Sequence, residues 1–185
     1  MTTALLVIDM QMGMARRTQA GQQRANPGAE DRVAELLALF RAQRRPVVHV
    51  LHHDDDPRSP FRRGAPDGAP MPCALPLDDE TVLWKSGSSA FAGTGLDAHL
   101  RRRGIDRLVI AGAVAAFCVT STTRWASDLG FSVILPGDAL IGFDIPAHDG
   151  GRIDAGTVLR VTLSLLGADF ARVVTADQVA GLLTA

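Results

Sequence analysis

Short apolar runs without alternation constrain the fold of this chain more than any other feature. Residues 4–8 (ALLVI) and 108–111 (LVIA) contain no polar side chain. A strand with this pattern is covered on both faces, which is typical of the centre of a parallel sheet. These two runs therefore predict buried parallel strands with helices packed on both sides.

Predicted helices separate such strands along the chain. The clearest helix lies at 30–44, where apolar residues recur at helical spacing opposite a charged face. Strands are predicted at 4–8, 47–51, 81–84, 108–111, 131–135 and 170–174, and further helices at 96–103, from about 117 to 129, 156–166 and 176–183. Alternating strands and helices form a parallel sheet with right-handed crossovers. Residues 1–185 are thus expected to form one Rossmann-like domain, a three-layer α/β/α fold with a six-stranded parallel sheet.

Charge and composition exclude several classes of protein. The 185 residues carry a formal net charge of −1, so neither nucleic acid nor an anionic membrane is an expected partner. No apolar stretch approaches the roughly 20 residues of a membrane span, and the N-terminus lacks the basic region of a signal peptide. The two cysteines, Cys73 and Cys118, do not make a disulfide framework. We therefore expect a cytoplasmic protein with reduced thiols.

Cys118 follows the strand predicted at 108–111 and a turn of small residues. A helix that begins near Phe117 places this cysteine in its first turn, where the helix dipole and unpaired N–H groups lower the thiol pKa. The same N–H groups are suited to hold the oxyanion that forms on an attacked carbonyl. A lone cysteine is more often a small buried hydrophobic residue, so this segment alone leaves both interpretations open.

Asp9 and Lys85 favour the catalytic interpretation of Cys118. Each of the three residues lies just past the C-terminal end of a different predicted strand. These ends share one edge of an open parallel sheet, and ligands bind at that edge. An aspartate at such a position often only caps a turn. Three reactive groups at equivalent positions, however, match the roles of a base, an orienting residue and a nucleophile.

Loop segments offer further candidate sites. Residues 57–79 contain six of the ten prolines, and a loop of this length tends to be a lid or a binding wall. Before it, His52, His53 and the aspartates at 54–56 are adjacent in sequence instead of spaced like zinc ligands, so we interpret them as a solvated acidic loop. A G-x-G-x-x-A match at 93–98 begins about eight residues past its strand, too far for a dinucleotide site. The sequence therefore predicts no metal and no cofactor.

Several motifs together resemble the isochorismatase-like cysteine hydrolases, a family that includes nicotinamidases and N-carbamoylsarcosine amidohydrolases. The matching stretches are LLVIDMQ at 5–11, a K-x-x-x-S-A-F-like stretch at 85–91, GTGLDAHLRRRGIDRLVIAG at 93–112, CV with a downstream Thr at 118–123, DLGFSVILPGDA at 128–139 and FARVVTADQV at 170–179. The resemblance implies a six-stranded parallel sheet and an Asp–Lys–Cys triad of Asp9, Lys85 and Cys118. It also implies a cis peptide between Ala113 and Val114, which turns the Val114 N–H toward the oxyanion beside that of Cys118. Because the family usually forms homo-oligomers, we expect a dimer or tetramer.

Departures from the family pattern narrow the activity that the resemblance implies. Ala115 and Ala116 stand where polar residues often occur, so this wall of the pocket is expected to be apolar. The Asp/His/His metal site of nicotinamidases is not matched at 49–61, which argues against nicotinamide as substrate. Isochorismatases proper usually lack the nucleophilic cysteine, so Cys118 favours hydrolysis of a C–N bond in a small amide or ureide through a thioester. The alternatives are a vinyl-ether hydrolase with Asp9 as the acid, a non-catalytic binding protein on the same fold, and a redox thiol protein.

Four residues are predicted to bind the substrate around the triad. Phe61 and Phe91 lie on loops at the functional edge. Gln11 follows Asp9 closely and offers an amide to orient a polar group. Trp125 lies two helical turns beyond the cysteine and faces either the pocket or the core. This set predicts a substrate with an apolar or aromatic body and one terminal carboxamide.

Overall fold

A parallel β-sheet runs through the centre of the protein, of which a computed structural model describes residues 1–183. The strands, in chain order, are β1 (Thr2–Ile8), β2 (Arg24–Ala25), β3 (Val47–His52), β4 (Thr81–Lys85), β5 (Ile105–Ala113), β6 (Ser132–Pro136), β7 (Leu140–Phe143), β8 (Ile145–Pro146), β9 (Arg152–Ile153) and β10 (Arg172–Val174). Six of them form the order β10-β6-β5-β1-β3-β4, and every neighbouring pair in it is parallel. The six predicted parallel strands are confirmed, and two further strands extend the sheet: β7 pairs parallel with β5, and β2 pairs antiparallel with β7.

Helices cover both faces of this sheet and complete the three-layer α/β/α fold. They are α1 (Met12–Gln19), α2 (Ala29–Ala42), α3 (Leu96–Arg102), α4 (Thr120–Asp128), α5 (Ala155–Asp169) and α6 (Ala176–Leu183). Phe40 of α2 and Val179 of α6 pack into one core cluster, whereas Leu100 of α3 and Leu166 of α5 pack into the other. None of the described helices combines the length and apolarity needed to cross a bilayer.

Strand β1 shows why the central apolar runs lack alternation. Leu5 and Val7 belong to the core cluster beneath α2 and α6, whereas Leu6 and Ile8 belong to the cluster beneath α3, α4 and α5. All four side chains are buried. Because both faces of the strand are covered, every position along it requires an apolar residue.

Two segments predicted as loops contain regular structure. Residues 13–28 include most of α1 and all of β2. Residues 142–152 include the end of β7, all of β8 and the first residue of β9, which pairs antiparallel with β8. Helix α1 buries only Gly13 and Met14, so it carries no apolar periodicity that a sequence pattern would reveal. Strand β2 has just two residues, which pair with β7. Tertiary packing therefore determines these short elements.

The proline-rich loop at 57–79 is tied to the segment that follows β1. Met12 N donates to Ala69 O at 2.9 Å, and Met71 N donates to Met10 O at 2.8 Å. The Met71 side chain is itself buried in the core cluster beneath α2. The second half of this loop is therefore a fixed wall beside the C-terminal ends of the strands.

Candidate active site

Three strand ends at one edge of the sheet carry the residues predicted to be catalytic. Asp9 follows β1, Lys85 is the last residue of β4, and Cys118 lies in a π-helical turn (Ala115–Val119) between β5 and α4. Since β1 lies between β5 and β3, Asp9 occupies the centre of this edge. The backbone of Asp9 has a φ of 48°, a left-handed conformation that is uncommon outside glycine and recurs at functional sites.

Lys85 connects the other two members of the triad. Its Nζ lies 2.8 Å from Asp9 Oδ2, and it donates to Cys118 Sγ at 3.4 Å and to Gly87 O at 3.1 Å. An ammonium has three donors, so all of them are used. Asp9 and Lys85 are buried, whereas Cys118 is partly exposed. The structure thus brings the three predicted residues together and leaves the cysteine the most accessible of them.

Burial dominates the protonation of this cluster. It raises the pKa of Asp9, although the Lys85 ammonium opposes the effect. Burial and the Asp9 carboxylate also raise the pKa of Cys118 to about 11, again against Lys85. The expectation that the start of a helix lowers the pKa of this thiol is therefore wrong, because removal from water and a nearby negative charge outweigh the dipole. The resting cysteine is a neutral thiol, and it needs a base before it attacks.

Asp9 is the group placed to take that proton. Its Oδ2 faces Lys85, whereas Oδ1 is buried and has no hydrogen-bond partner among residues 1–183. The thiol of Cys118 interacts with the same carboxylate. A carboxylate with a raised pKa is a stronger base than an ordinary one. The arrangement therefore supplies a base, a thiol, and a cation that contacts both and stabilises negative charge.

The backbone between β5 and α4 positions the cysteine. Gly112 has a φ of 120°, and a Cβ at this residue would lie 2.1 Å from Ile8 O, so the close approach of β5 to β1 requires glycine. The peptide between Ala113 and Val114 is cis, at the position that the resemblance implies. The helical turn then begins at Ala115, two residues earlier than the start predicted near Phe117.

Gln11 does not offer its amide to a substrate, contrary to our prediction. Its side chain is fully buried: Nε2 donates to His52 O and to Gly68 O at 2.9 Å each, and Oε1 accepts from His52 N at 2.8 Å. Both amide hydrogens are therefore used within the protein. Gln11 instead ties the end of β3 and the proline-rich loop to the segment that carries Asp9.

Phe91 and Ala115 lie in the core instead of the predicted pocket. Phe91 is 7% exposed and stacks on Phe131, with ring centroids 6.0 Å apart. Ala115 is fully buried in the same cluster. The free energy of burying a large apolar ring outweighs the preference of loop residues for the surface, so the prediction for Phe91 is wrong.

The other two aromatic candidates, Trp125 and Phe61, are more exposed than Phe91. Trp125 on α4 is 43% exposed, which excludes the core alternative. Phe61 packs on Gly13, where a Cβ would lie 2.5 Å from the ring, and it meets His52 edge-on with ring centroids 5.9 Å apart. Gly13 lies shortly after Asp9, and His52 is the last residue of β3. Phe61, which contacts both, therefore lies at the functional edge. Its contact with substrate stays a prediction.

His52 is the residue at this edge that the sequence interpretation missed. It is the last residue of β3, not part of a solvated loop, and it lies opposite Lys85 in the pairing of β3 with β4. Its Nε2 lies 3.2 Å from Asp54 Oδ1. The available signal was its position directly after the strand predicted at 47–51, which matches the position of Lys85 directly after the strand predicted at 81–84.

The histidines and aspartates at 52–56 do not fit a metal site. His52 pairs with Asp54, and His53 Nδ1 lies 3.5 Å from Asp55. Within residues 1–183, no group of three or more His, Cys, Asp or Glu side chains is arranged to hold a metal ion. The Asp/His/His metal site of nicotinamidases therefore has no counterpart among residues 1–183.

Comparison with known proteins assigns the family. A model of the isochorismatase domain matches residues 3–153. The chain belongs to the isochorismatase family. YrdC, an isochorismatase family protein of Bacillus subtilis, is 31% identical over 175 residues, which cover 95% of this chain and 92% of that protein. The solved structure of an isochorismatase-family protein from Chromobacterium violaceum has a TM-score of 0.94 and 36% identity, covering 99% of this chain and 94% of the other.

Two further similarities within the isochorismatase family concern chemistry. A solved structure of a cysteine hydrolase from Pseudomonas syringae pv. phaseolicola has a TM-score of 0.89 and 26% identity, covering 98% of this chain and 92% of the other. The N-carbamoylsarcosine amidase of an Arthrobacter species is 42% identical over 71 residues, 38% of this chain and 26% of the amidase. These comparisons identify a hydrolase of the isochorismatase family.

Proposed function

We propose that this protein is a cysteine amidohydrolase that cleaves a C–N bond of a small amide or ureide through a thioester on Cys118. One observation carries the proposal: a single buried ammonium, that of Lys85, contacts both the Asp9 carboxylate and the Cys118 sulfur. A base, a cation and a thiol in mutual contact are what nucleophilic attack on a carbonyl requires.

Acylation begins when Asp9 takes the proton of the Cys118 thiol. Lys85 stabilises the thiolate that this leaves. The thiolate sulfur then bonds to the carbonyl carbon. The carbonyl oxygen becomes an oxyanion, which we assign to the backbone N–H groups of Val114 and Cys118. Asp9 then returns its proton to the leaving nitrogen, the C–N bond breaks, and ammonia or an amine departs.

Deacylation repeats this proton cycle with water. Asp9 takes a proton from a water molecule, whose oxygen attacks the thioester carbon and forms a second tetrahedral intermediate on the same N–H groups. The C–S bond breaks, the acid product leaves, and the proton held by Asp9 returns to Cys118. The cycle uses no metal and no cofactor.

Similar proteins support C–N hydrolysis over vinyl-ether cleavage. The cysteine hydrolase and the carbamoylsarcosine amidase described above carry names that fit a thiol nucleophile and an amide substrate. A vinyl-ether hydrolase needs only Asp9, as an acid. Dependence of turnover on Cys118 therefore separates the two activities.

A panel of small amides and ureides, assayed for release of ammonia or amine, tests the proposal. We expect the wild type to turn over at least one member and to form an acyl adduct on Cys118 that mass spectrometry maps. Cys118→Ala should fold and lose this turnover. The matched control is Cys73→Ser, because Cys73 packs beside the core cluster under α2. Near-native turnover in Cys118→Ala would contradict nucleophilic catalysis, and cleavage of a vinyl ether without Cys118 would favour the alternative.

We also propose that this enzyme is a cytoplasmic homo-oligomer. Apolar side chains are exposed on the outer helices: Trp125 on α4, and Val161 and Leu165 on the neighbouring α5, with exposures of 43%, 49% and 55%. Burial of such residues against a second copy is favourable. Leu75 and Leu77 of the proline-rich loop are exposed as well. Sedimentation at micromolar concentration should show a dimer or tetramer, and a monomer would count against the proposal.

A further inference from the structure

His52 lies beside the triad on the neighbouring strand. It is opposite Lys85 in the pairing of β3 with β4, and His53 N donates to Lys85 O at 2.9 Å. Side chains of paired residues project from the same face of a sheet, on strands about 4.8 Å apart. The His52 imidazole therefore shares the face from which Lys85 reaches Asp9 and Cys118.

Asp54 determines which nitrogen of this imidazole carries a proton. Ser59 Oγ donates to Asp54 Oδ2 at 2.6 Å, and this bond lowers the pKa of Asp54, which remains a carboxylate. Asp54 Oδ1 lies 3.2 Å from His52 Nε2, so Nε2 carries the proton and donates it. In the neutral ring Nδ1 is then an acceptor. This nitrogen is buried without a hydrogen-bond partner among residues 1–183. An N–H group of a ligand would satisfy it.

The imidazole is also held in place on its other sides. Gln11 hydrogen-bonds both the N–H and the carbonyl of His52, with distances of 2.8 and 2.9 Å. Phe61 packs edge-on against the ring. A side chain that is fixed at its backbone, at Nε2 and along one edge is preorganised, as expected of a group that orients a substrate.

We infer that His52 Nδ1 accepts a hydrogen bond from the N–H of the scissile amide and thereby orients the leaving nitrogen. This inference rests on the proposed function. In the tetrahedral intermediate, the leaving nitrogen must present its lone pair to the proton on Asp9. Because His52 holds the N–H bond, the lone pair is free for that proton. The nitrogen is protonated, the C–N bond breaks, the carbonyl re-forms, and His52 neither gains nor loses a proton.

This role makes His52 a determinant of selectivity for amides over esters. An ester with the same acyl group has a leaving oxygen without hydrogen, so it has nothing to donate to Nδ1. Both substrates still require Cys118 and form the same thioester. Removal of the acceptor should therefore affect the amide alone.

A matched amide and ester of one acyl group, compared by kcat/KM, test the inference, since kcat/KM reports the acylation step. His52→Phe keeps a ring but has no acceptor, and it should lower kcat/KM for the amide about tenfold, the loss expected of one neutral hydrogen bond. The ester should change by less than about twofold. His53→Gln is the matched control, because its ring contacts Trp84 instead, and it should leave the amide-to-ester ratio unchanged.

His52→Asn supplies a rescue, since its Oδ1 is as many bonds from Cα as Nδ1 and also accepts a hydrogen bond. We expect it to recover most of the amide-to-ester ratio. Equal losses on both substrates in His52→Phe, or no loss on either, would overturn the inference while leaving the cysteine mechanism intact. Absence of any Cys118 adduct with the wild type would instead overturn the proposed function itself.

Discussion

Glu80 and Asp9 are both carboxylates beside a cation, but they differ in how completely they are hydrogen-bonded. Glu80, next to β4, accepts two bonds from Arg41 at 2.8 Å each and one from Leu77 N at 2.9 Å, and it lies 2.9 Å from His49 Nε2. Asp9 has the lysine on one oxygen and no hydrogen-bond partner among the described residues on the other. The first carboxylate is saturated with donors, and the second is not.

Their pKa values diverge as a result. Burial raises the pKa of both carboxyls, but around Glu80 the Arg41 guanidinium and the other donors outweigh burial and lower the pKa to about 2. Around Asp9 burial prevails, and the pKa is raised. A saturated carboxylate holds α2, β3 and β4 together and is a poor base, whereas an unsaturated one is ready to accept a proton.

Turnover should show the largest contrast between the two sites. Asp9→Asn and Cys118→Ala should each lower kcat/KM for the amide by about a thousandfold or more, because acylation needs both groups. Glu80→Gln makes the same change of acid to amide at the other site and should alter kcat/KM by less than about twofold. Steady-state kinetics, with circular dichroism to confirm folding, measure this. Equal losses of kcat/KM in Asp9→Asn and Glu80→Gln would contradict the distinction between a catalytic and a structural carboxylate.

The free energy of unfolding should depend more on Glu80 than on Asp9. Glu80→Gln should lower the free energy of unfolding by about 2 kcal/mol at pH 7, because it removes charge-assisted bonds and leaves Arg41 without its anion. The pKa of Glu80 in the folded protein is about 2, below its ordinary 4.5, so this stabilisation is complete above pH 4.5 and is lost as the pH falls toward 2. Urea unfolding of wild type and variant should therefore converge over that window, and a constant difference would contradict this account.

The reactivity of the Cys118 thiol should change less than turnover does, and it should increase when Asp9 is neutralised. In a Cys73→Ser background, alkylation of Cys118 by iodoacetamide should accelerate about tenfold at pH 8 in Asp9→Asn, because the Asp9 carboxylate helps to raise the thiol pKa to about 11. With Asp9 present, the rate should climb about tenfold per pH unit below that pKa. Slower alkylation in Asp9→Asn would instead show that proton removal by Asp9 outweighs its effect on the thiol pKa.

Chelators should have the smallest effect. Because the imidazoles of His52 and His53 each pair with a nearby aspartate, we expect EDTA to leave kcat/KM unchanged. Elemental analysis of the purified protein should find metal well below one equivalent. Stoichiometric zinc together with chelator-sensitive activity would overturn this prediction.

The sheet and the positions of the triad residues followed from the sequence alone, because short-range patterns determine both. A strand buried on both faces needs an unbroken apolar run, and residues 4–8 and 108–111 lie within β1 and β5. A residue at the end of such a run reaches one shared edge of a parallel sheet. That rule was enough to predict that Asp9, Lys85 and Cys118 meet, and applied to the end of β3 it would also have found His52.

Tertiary structure alone decided the direction of side chains and the protonation of the site. The Gln11 amide bonds to backbone atoms 41 and 57 residues away, and no local pattern reports such partners. Phe91 is in the core because Phe131, from another segment, stacks on it. The pKa of Cys118 depends on how much water the surrounding elements exclude and on Asp9 from a different strand. The direction of a side chain and the pKa of a buried group both depend on many residues that are distant in sequence. They are therefore determined only once the whole chain has folded.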